Sequence, residues 1–357
     1  MSVTSRRLGR LVAAGVAATL AFAACADDTN RVNGAEETGD GNGAAVEFPT
    51  GTVRIVVGSG AGSTMDHLAR GLAPRLQELW GQSVIVDNVP GANQSAGYHE
   101  VANADPDGHT LFITVHGTMG IHDQLGTISP GWQEFEWFGT LLEEPWAVYT
   151  AADGEITSFD DLLQLDEPIR YGDSGYESPV NVVFLTLFEA FGLDFTFAPG
   201  HDPGSAQASV LTGEQHIVGR DAAQMIRTGI DADYRALVVF SPERHPWQPD
   251  ALSLSDLEDM YGVSIPDQEL FTLGFSIGTT PGTPPEIVDF LADSIRTLIE
   301  EDAEFQQWMK DNQLTGAMLA ENIGRDVTRA KVDALSRQYA DLGVQDLQQR
   351  LQSGNPK

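Results

Sequence analysis

The stretch of this 357-residue chain with the clearest chemical potential is Gly58-Ser59-Gly60-Ala61-Gly62-Ser63, directly after the run Val53-Arg54-Ile55-Val56-Val57. Closely spaced glycines let backbone N–H groups approach a ligand, and Ser59 and Ser63 add hydroxyl donors. Ser63 stands three residues before Asp66, a capping spacing that predicts a helix start. A helix N-terminus carries partial positive charge, so this turn could hold an anion without any Lys or Arg. Other readings compete. A dinucleotide fingerprint needs G-x-G-x-x-G, and here the third glycine comes one residue early, although Asp87 stands near the place of a ribose-binding acid. A phosphate-binding P-loop needs a Lys before its hydroxyl residue, and Gly62 occupies that place. The plainest alternative is a tight turn that binds nothing.

Two further turns repeat the pattern. His116-Gly117-Thr118 closes one predicted strand, and Gly172-Asp173-Ser174-Gly175-Tyr176-Glu177-Ser178 follows another. Together the three predict a cleft lined by neutral donors, in which Asp173 and Glu177 would repel an anion unless turned away. Catalytic patterns are poor. Gly172 to Tyr176 resembles a nucleophile elbow, but Tyr176 replaces its last glycine. His116 and His122 are six apart, which fits no common metal motif, and they read as surface or hydrogen-bonding residues. Glu143-Glu144 and Asp160-Asp161 read as solvated surface. No catalytic residue, metal or cofactor is therefore expected.

The elements that must position these turns alternate strand and helix. After the first strand and the capped helix come strands at Ser83 to Val86 and Thr110 to Val115, separated by a loop and helix over Pro90 to Ala104. Such a pattern predicts parallel strands whose C-terminal loops gather on one edge, where open α/β sheets bind ligands. A second unit starts near Ala147-Val148-Tyr149. It holds a capped helix at 157–163, a strand at Ile169-Arg170-Tyr171 and an apolar helix from Val180 to Phe191. Strands are predicted at Phe195 to Phe197, Ile217-Val218 and Ala236 to Phe240. Phe271 to Ile277 reads as a strand returning to the first unit, Pro284 to Glu300 as a helix, and Asn322 to Leu342 as a last amphipathic helix.

The chain carries 20 basic residues against 52 acidic ones, a net charge of −32. Such a surface repels phosphate backbones, which argues against nucleic-acid binding, and suits a saline exterior. Arg6, Arg7 and Arg10 precede a short apolar stretch from Leu11 to Ala24, too short to span a bilayer. Cys25, the single cysteine, follows Phe22-Ala23-Ala24 and reads as the lipidation site of a bacterial lipoprotein signal. Residues 26–49, rich in Asp, Asn, Gly and Glu, read as a flexible tether.

Four segments carry a family likeness. Val53 to Val57 with Ala61-Gly62-Ser63 and the helix reaching Ala69-Arg70 is one; Gly81-Gln82-Ser83-Val84-Ile85-Val86-Asp87-Asn88 with Pro90-Gly91-Ala92 is the second. Asp105-Pro106-Asp107-Gly108-His109-Thr110-Leu111 is the third, and Arg235-Ala236-Leu237-Val238-Val239 with Arg244 and Pro246 the fourth. In this order they resemble the tripartite tricarboxylate transporter substrate-binding proteins, the TctC or Bug family. The resemblance implies a two-lobed type II periplasmic-binding-protein fold, each lobe a mostly parallel sheet flanked by helices. It places lobe 1 at 50–148 with 270–315, lobe 2 at 149–269, and 316–357 as a C-terminal helix across both, with crossovers near 145–150 and 268–272. It further implies an exported, non-enzymatic, monomeric receptor for a small organic carboxylate (a di- or tricarboxylate, an aromatic acid or similar). That receptor would deliver its ligand to an integral-membrane permease. Carried onto this chain, the ligand contacts are Ser59, Gly60, Ala61, Gly62, Ser63, Asp66, Gly117, Thr118, Ser174, Gly175 and Ser178. The acid of the family's GxxD segment is His216 here, with Asp221 close by as a substitute. An exported dinucleotide-binding protein or enzyme, and a sensor-linked receptor, are the alternatives.

Overall fold

The structure is a computed structural model that describes residues 47–265, 269–314 and 317–354. The export signal, Cys25 and the tether up to residue 46 lie outside the described residues, as does the start of the second crossover.

The β-branched run forms β1 (Val53–Val57), buried on both faces. Next comes α1 (Thr64–Trp80), which begins where Ser63 Oγ accepts the Asp66 N–H at 3.2 Å. Its buried Leu68, Leu72 and Leu76 recur at helical spacing, so one face packs on the sheet. β2 (Val84–Asn88), α2 (Ser95–Ala102) and β3 (Thr110–Val115) complete the unit, with β1 parallel to both β2 and β3. α3 (His116–Gln124) leaves β3 without a linker, and β4 (Glu136–Ala151) follows. The second unit comprises α4 (Phe159–Leu163), β5 (Ile169–Asp173), α5 (Pro179–Phe191), β6 (Phe195–Pro199), α6 (Pro203–Leu211), β7 (Val218–Asp221), α7 (Gln224–Arg227), β8 (Tyr234–Val239) and α8 (Leu254–Tyr261). The chain then returns through β9 (Thr272–Thr279), α9 (Pro285–Glu301), α10 (Ala303–Asp311), α11 (Arg325–Asp341) and α12 (Leu347–Ser353).

The strands run β2-β1-β3-β9-β4-β7 across the sheet, with β8 also on β4. β5 and β6 form a parallel pair, bridged from Tyr171 to Ile217 beside β7. Helices flank both faces, and the class is α/β. The parallel share is smaller than expected, however. Among these strand pairs β1–β2, β1–β3 and β5–β6 are parallel, while every pair made by β4 and β9 is antiparallel. These are the two strands that pass between the halves, so one runs out and the other back.

β4 also begins earlier than the sequence suggested. It runs for 16 residues, and its first part pairs with β9 until Pro145 meets Thr272. From Trp146 it pairs with β7 and β8 instead. Glu143-Glu144-Pro145 hides this continuity, because two acids and a residue without an N–H rarely sit in a central strand. Here the proline stands where β4 changes partners, and its carbonyl accepts the Ala222 N–H at 2.9 Å.

β3 and β9 meet at a tight contact. The buried His116 ring lies over Gly274, where an alanine Cβ would stand 1.7 Å from its Cε1. His116 Nδ1 is 3.3 Å from Ser276 Oγ, and burial holds its pKa down to about 3, so the ring stays neutral. His116 and His122 are thus hydrogen-bonding residues, as one reading had it, but buried rather than on the surface. α11 packs against β4, α3 and α9, while α12 packs on β6, whose Phe195 N–H donates to the Gly354 carbonyl.

Candidate functional site

A cavity of about 760 Å³ opens where the loops of the first unit face those of the second. Ser59, Gly62, Ser63, Asp66, Thr118, Ser174 and Ser178 line it, so seven expected contact residues from three separate turns converge. The others do not. Gly60 and Ala61 form the exposed tip of their turn. Gly117 is packed under Tyr339 and Pro179, and Gly175 lies against Glu177. Asp221 is fully buried behind the wall.

The first unit offers uncharged groups held in place by their own hydrogen bonds. Ser59 and Ser63 share a hydrogen bond between hydroxyls, and Asn88 Nδ2 donates to the Ser59 carbonyl at 3.0 Å. Gly62 has φ +85°, a conformation an L side chain adopts only with strain, and its N–H donates to Asp66 Oδ2 at 2.8 Å. That N–H is thus occupied by Asp66. Burial alone would raise the Asp66 pKa, but Arg70 and the Gly62 N–H outweigh it and hold the carboxyl below its usual range. Asp66 therefore shapes the turn as an anion, bonded to Arg70 Nε at 3.0 Å.

Beside this turn, Ala92, Asn93 and Gln94 all have positive φ, at 44°, 48° and 77°. Each costs on the order of 1 kcal/mol, and the strain is held by the side chain of Gln94. Gln94 Oε1 accepts from Thr114 Oγ1 at 2.8 Å and from the Val115 N–H at 3.0 Å, while its Nε2 donates to Thr118 Oγ1 at 3.3 Å. Asn93 and Gln94 both line the cavity. Sequence reading missed them, although Pro90-Gly91-Ala92 marked the turn they belong to.

The second unit is charged, which corrects the expectation of purely neutral donors. Arg220 and Arg227 line the cavity together with Gln207 and Gln224. Arg220 is buried, which lowers its pKa, while Asp173 and Asp221 pull the other way; its Nη1 is 3.5 Å from Asp173 Oδ2. Asp173 also accepts the Ser174 N–H at 2.6 Å, so it is turned onto its own loop and Arg220. Arg227 Nη2 is bonded to Asp221 Oδ1, and its Nη1 lies 3.5 Å from Glu144 Oε1. Asp221 thus holds Arg227 from behind. Glu144, read as surface, is buried at 3 % exposure. Burial first, and the charge of Asp221 second, raise its pKa to about 7 despite Arg227.

Apolar walls complete the cavity: Met65, Leu68, Val115, Trp146, Leu273, Phe275 and Leu314. Asn181, at the base of the second-unit turn, donates to the Gly175 carbonyl at 2.8 Å and sits 3.2 Å from the Tyr171 hydroxyl. Among the described residues no group of three His, Cys, Asp or Glu side chains is placed to hold a metal ion.

Residues 68–331 match the sequence profile of the tripartite tricarboxylate transporter family receptor, TctC. A UPF0065 protein of Bordetella bronchiseptica is 25% identical over 264 residues, covering 72% of this chain and 76% of that one. MatC of Rhodopseudomonas palustris, solved with bound malate, superposes with a TM-score of 0.68 at 21% identity, covering 83% of this chain and 99% of its own. Rpa4515 of R. palustris, solved with adipate, has the same TM-score and identity, and covers 83% and 97%. Those two structures share the fold. The profile spans well over half the sequence, and with it most of the turns that build the cavity, so the chain belongs to the TctC family of tripartite tricarboxylate transporter receptors.

Proposed function

We propose that the protein is a non-enzymatic, extracytoplasmic receptor that captures a small organic carboxylate in the cavity between its two units. The observation that carries this is the make-up of the cavity wall. Serine hydroxyls at a capped helix start line the same cavity as Arg220, Arg227 and a set of apolar side chains, which suits a short carbon chain ending in anionic groups. Fold neighbours that hold malate and adipate support the same ligand class. Lobe 1 at 50–148 with 270–315 would close on lobe 2 at 149–269 about β4 and β9, with 316–357 packed across both. The basic and apolar N-terminal pattern supports export, and Cys25 supports a lipid anchor on the outer face of the cytoplasmic membrane. Delivery to an integral-membrane permease is the role that family membership suggests.

Thermal unfolding of the full chain against mono-, di- and tricarboxylates, aromatic acids and amino acids tests the ligand class. A true ligand at a hundredfold excess over its Kd stabilises by about 3 kcal/mol, which raises Tm by several degrees. Stabilisation by NAD or a metal ion alone, with no response to any carboxylate, would overturn the assignment.

A further inference from the structure

Behind the cavity wall lies a charge set that the capture of an anion must disturb. Three buried carboxylates, Asp173, Asp221 and Glu144, face two guanidiniums, Arg220 and Arg227. Asp173 is matched with Arg220 and Asp221 with Arg227, which leaves Glu144 as the surplus anion. Its surroundings supply little else. From the loop after β8, His245 Nε2 lies 3.5 Å from Glu144 Oε2, but burial lowers the pKa of His245, so it adds no dependable positive charge. From β4 come Trp146 and the Tyr149 hydroxyl, which itself donates to the Ala222 carbonyl and takes a hydrogen bond from Gln248. From β9 the register partner is the apolar Leu273. The neighbouring Glu143 bonds instead to Lys331, which also lies 3.6 Å from Glu269.

Two residues in or beside this set line the cavity and carry buried N–H groups. Arg227 lines it, and its buried Nη1 has no hydrogen-bond acceptor among the described residues. Trp146 lines it as well, is 5 % exposed, and its buried indole N–H likewise lacks an acceptor among them. An anion in the cavity that draws the Arg227 guanidinium forward would give it the acceptor it lacks.

We propose that capture of a carboxylate in this cavity is coupled to the uptake of one proton by Glu144, with Arg227 as the cation for which the two compete. The inference rests on the carboxylate function proposed above. A bound carboxylate adds a fourth anion to two guanidiniums and draws Arg227 Nη1 away from Glu144. Glu144 then keeps Asp221 as a neighbour with less to offset it, and protonation removes the repulsion. The proton sits on the carboxylate oxygen, and no other bond changes.

The sign follows from linkage. In the free protein Glu144 titrates at about 7, and binding moves that value upward. Below it the proton is already present and affinity is flat. Above it each binding event takes up a proton, so affinity falls by up to about tenfold per pH unit. Isothermal titration of the full chain with adipate and with malate, from about pH 6 to about pH 8.5, reads this slope. A parallel pair of titrations at about pH 7.5 in HEPES and in Tris, whose ionisation heats differ, counts the protons directly. Glu144→Gln, a neutral stand-in for the protonated acid, should bind as tightly at high pH as the wild type does at low pH and show no slope. Thermal unfolding checks that this variant is folded, and the two-buffer comparison on the wild type stands without it. Binding with a flat pH profile and equal heats in both buffers overturns the coupling alone, as does a slope that survives in folded Glu144→Gln. No binding of either acid at any pH, together with no response to any carboxylate in the thermal screen, overturns the carboxylate function, and the coupling with it.

Discussion

The two walls of the cavity solve the same electrostatic problem by different means. On the first, the candidate anion donors are the Ser59 and Ser63 hydroxyls at the start of α1, in a turn ordered by Asn88 and Asp66. On the second they are guanidiniums, held by Asp221, Asp173 and Glu144. Neutral donors need only local chain geometry. Buried cations need counter-anions brought from other strands, and they tie the site to protonation. In a chain of net charge −32 the proposed capture of an anion would rely on local positive ends that burial screens from the acidic surface.

The comparison breaks most visibly at Arg227. Arg227→Ala would leave Asp221 and Glu144 buried without their shared cation, at a cost of about 3–5 kcal/mol in stability, with carboxylate binding lost. Urea unfolding at about pH 8 measures the first, and the loss should shrink at lower pH as Glu144 takes a proton. An Arg227→Ala protein as stable as the wild type would show that the second wall carries no net charge demand. On the first wall, Gly62→Val forces a β-branched residue to φ +85°. We expect a stability cost of about 1–3 kcal/mol and loss of affinity through displacement of Ser59 and Ser63. Unchanged affinity would remove that turn from the site. The smallest effect is expected for Ser63→Ala, which deletes the cap of α1 and costs about 1 kcal/mol in Tm-derived stability. A larger drop in carboxylate affinity than in stability would show that the Ser63 hydroxyl also touches the ligand.

Much of the first wall was legible because its signals are local. Ser63 three residues before Asp66 announced the helix start, and β-branched runs announced β1 and β3. The second wall was not. Arg220 and Arg227 look ordinary in sequence, and Glu144 was lost among 52 acids. The strand that carries Glu144 was hidden by Pro145, whose position makes sense only where β4 leaves β9 for β7. The left-handed run at Ala92-Asn93-Gln94 also had no local cause, since three contacts of Gln94 with β3 and α3 maintain it.

By itself the sequence determined the alternation of strands and helices, the glycine and hydroxyl turns at strand ends, and the family. Each depends on residue spacing along a few turns of chain. Tertiary structure alone decided which turns meet, that Gly60, Ala61, Gly117, Gly175 and Asp221 stand off the cavity surface, and that a surplus carboxylate lies behind it. Burial and charge pairing arise between residues far apart in sequence, and the pKa of Glu144 on β4 depends on Asp221 and Arg227, which arrive on β7 and α7.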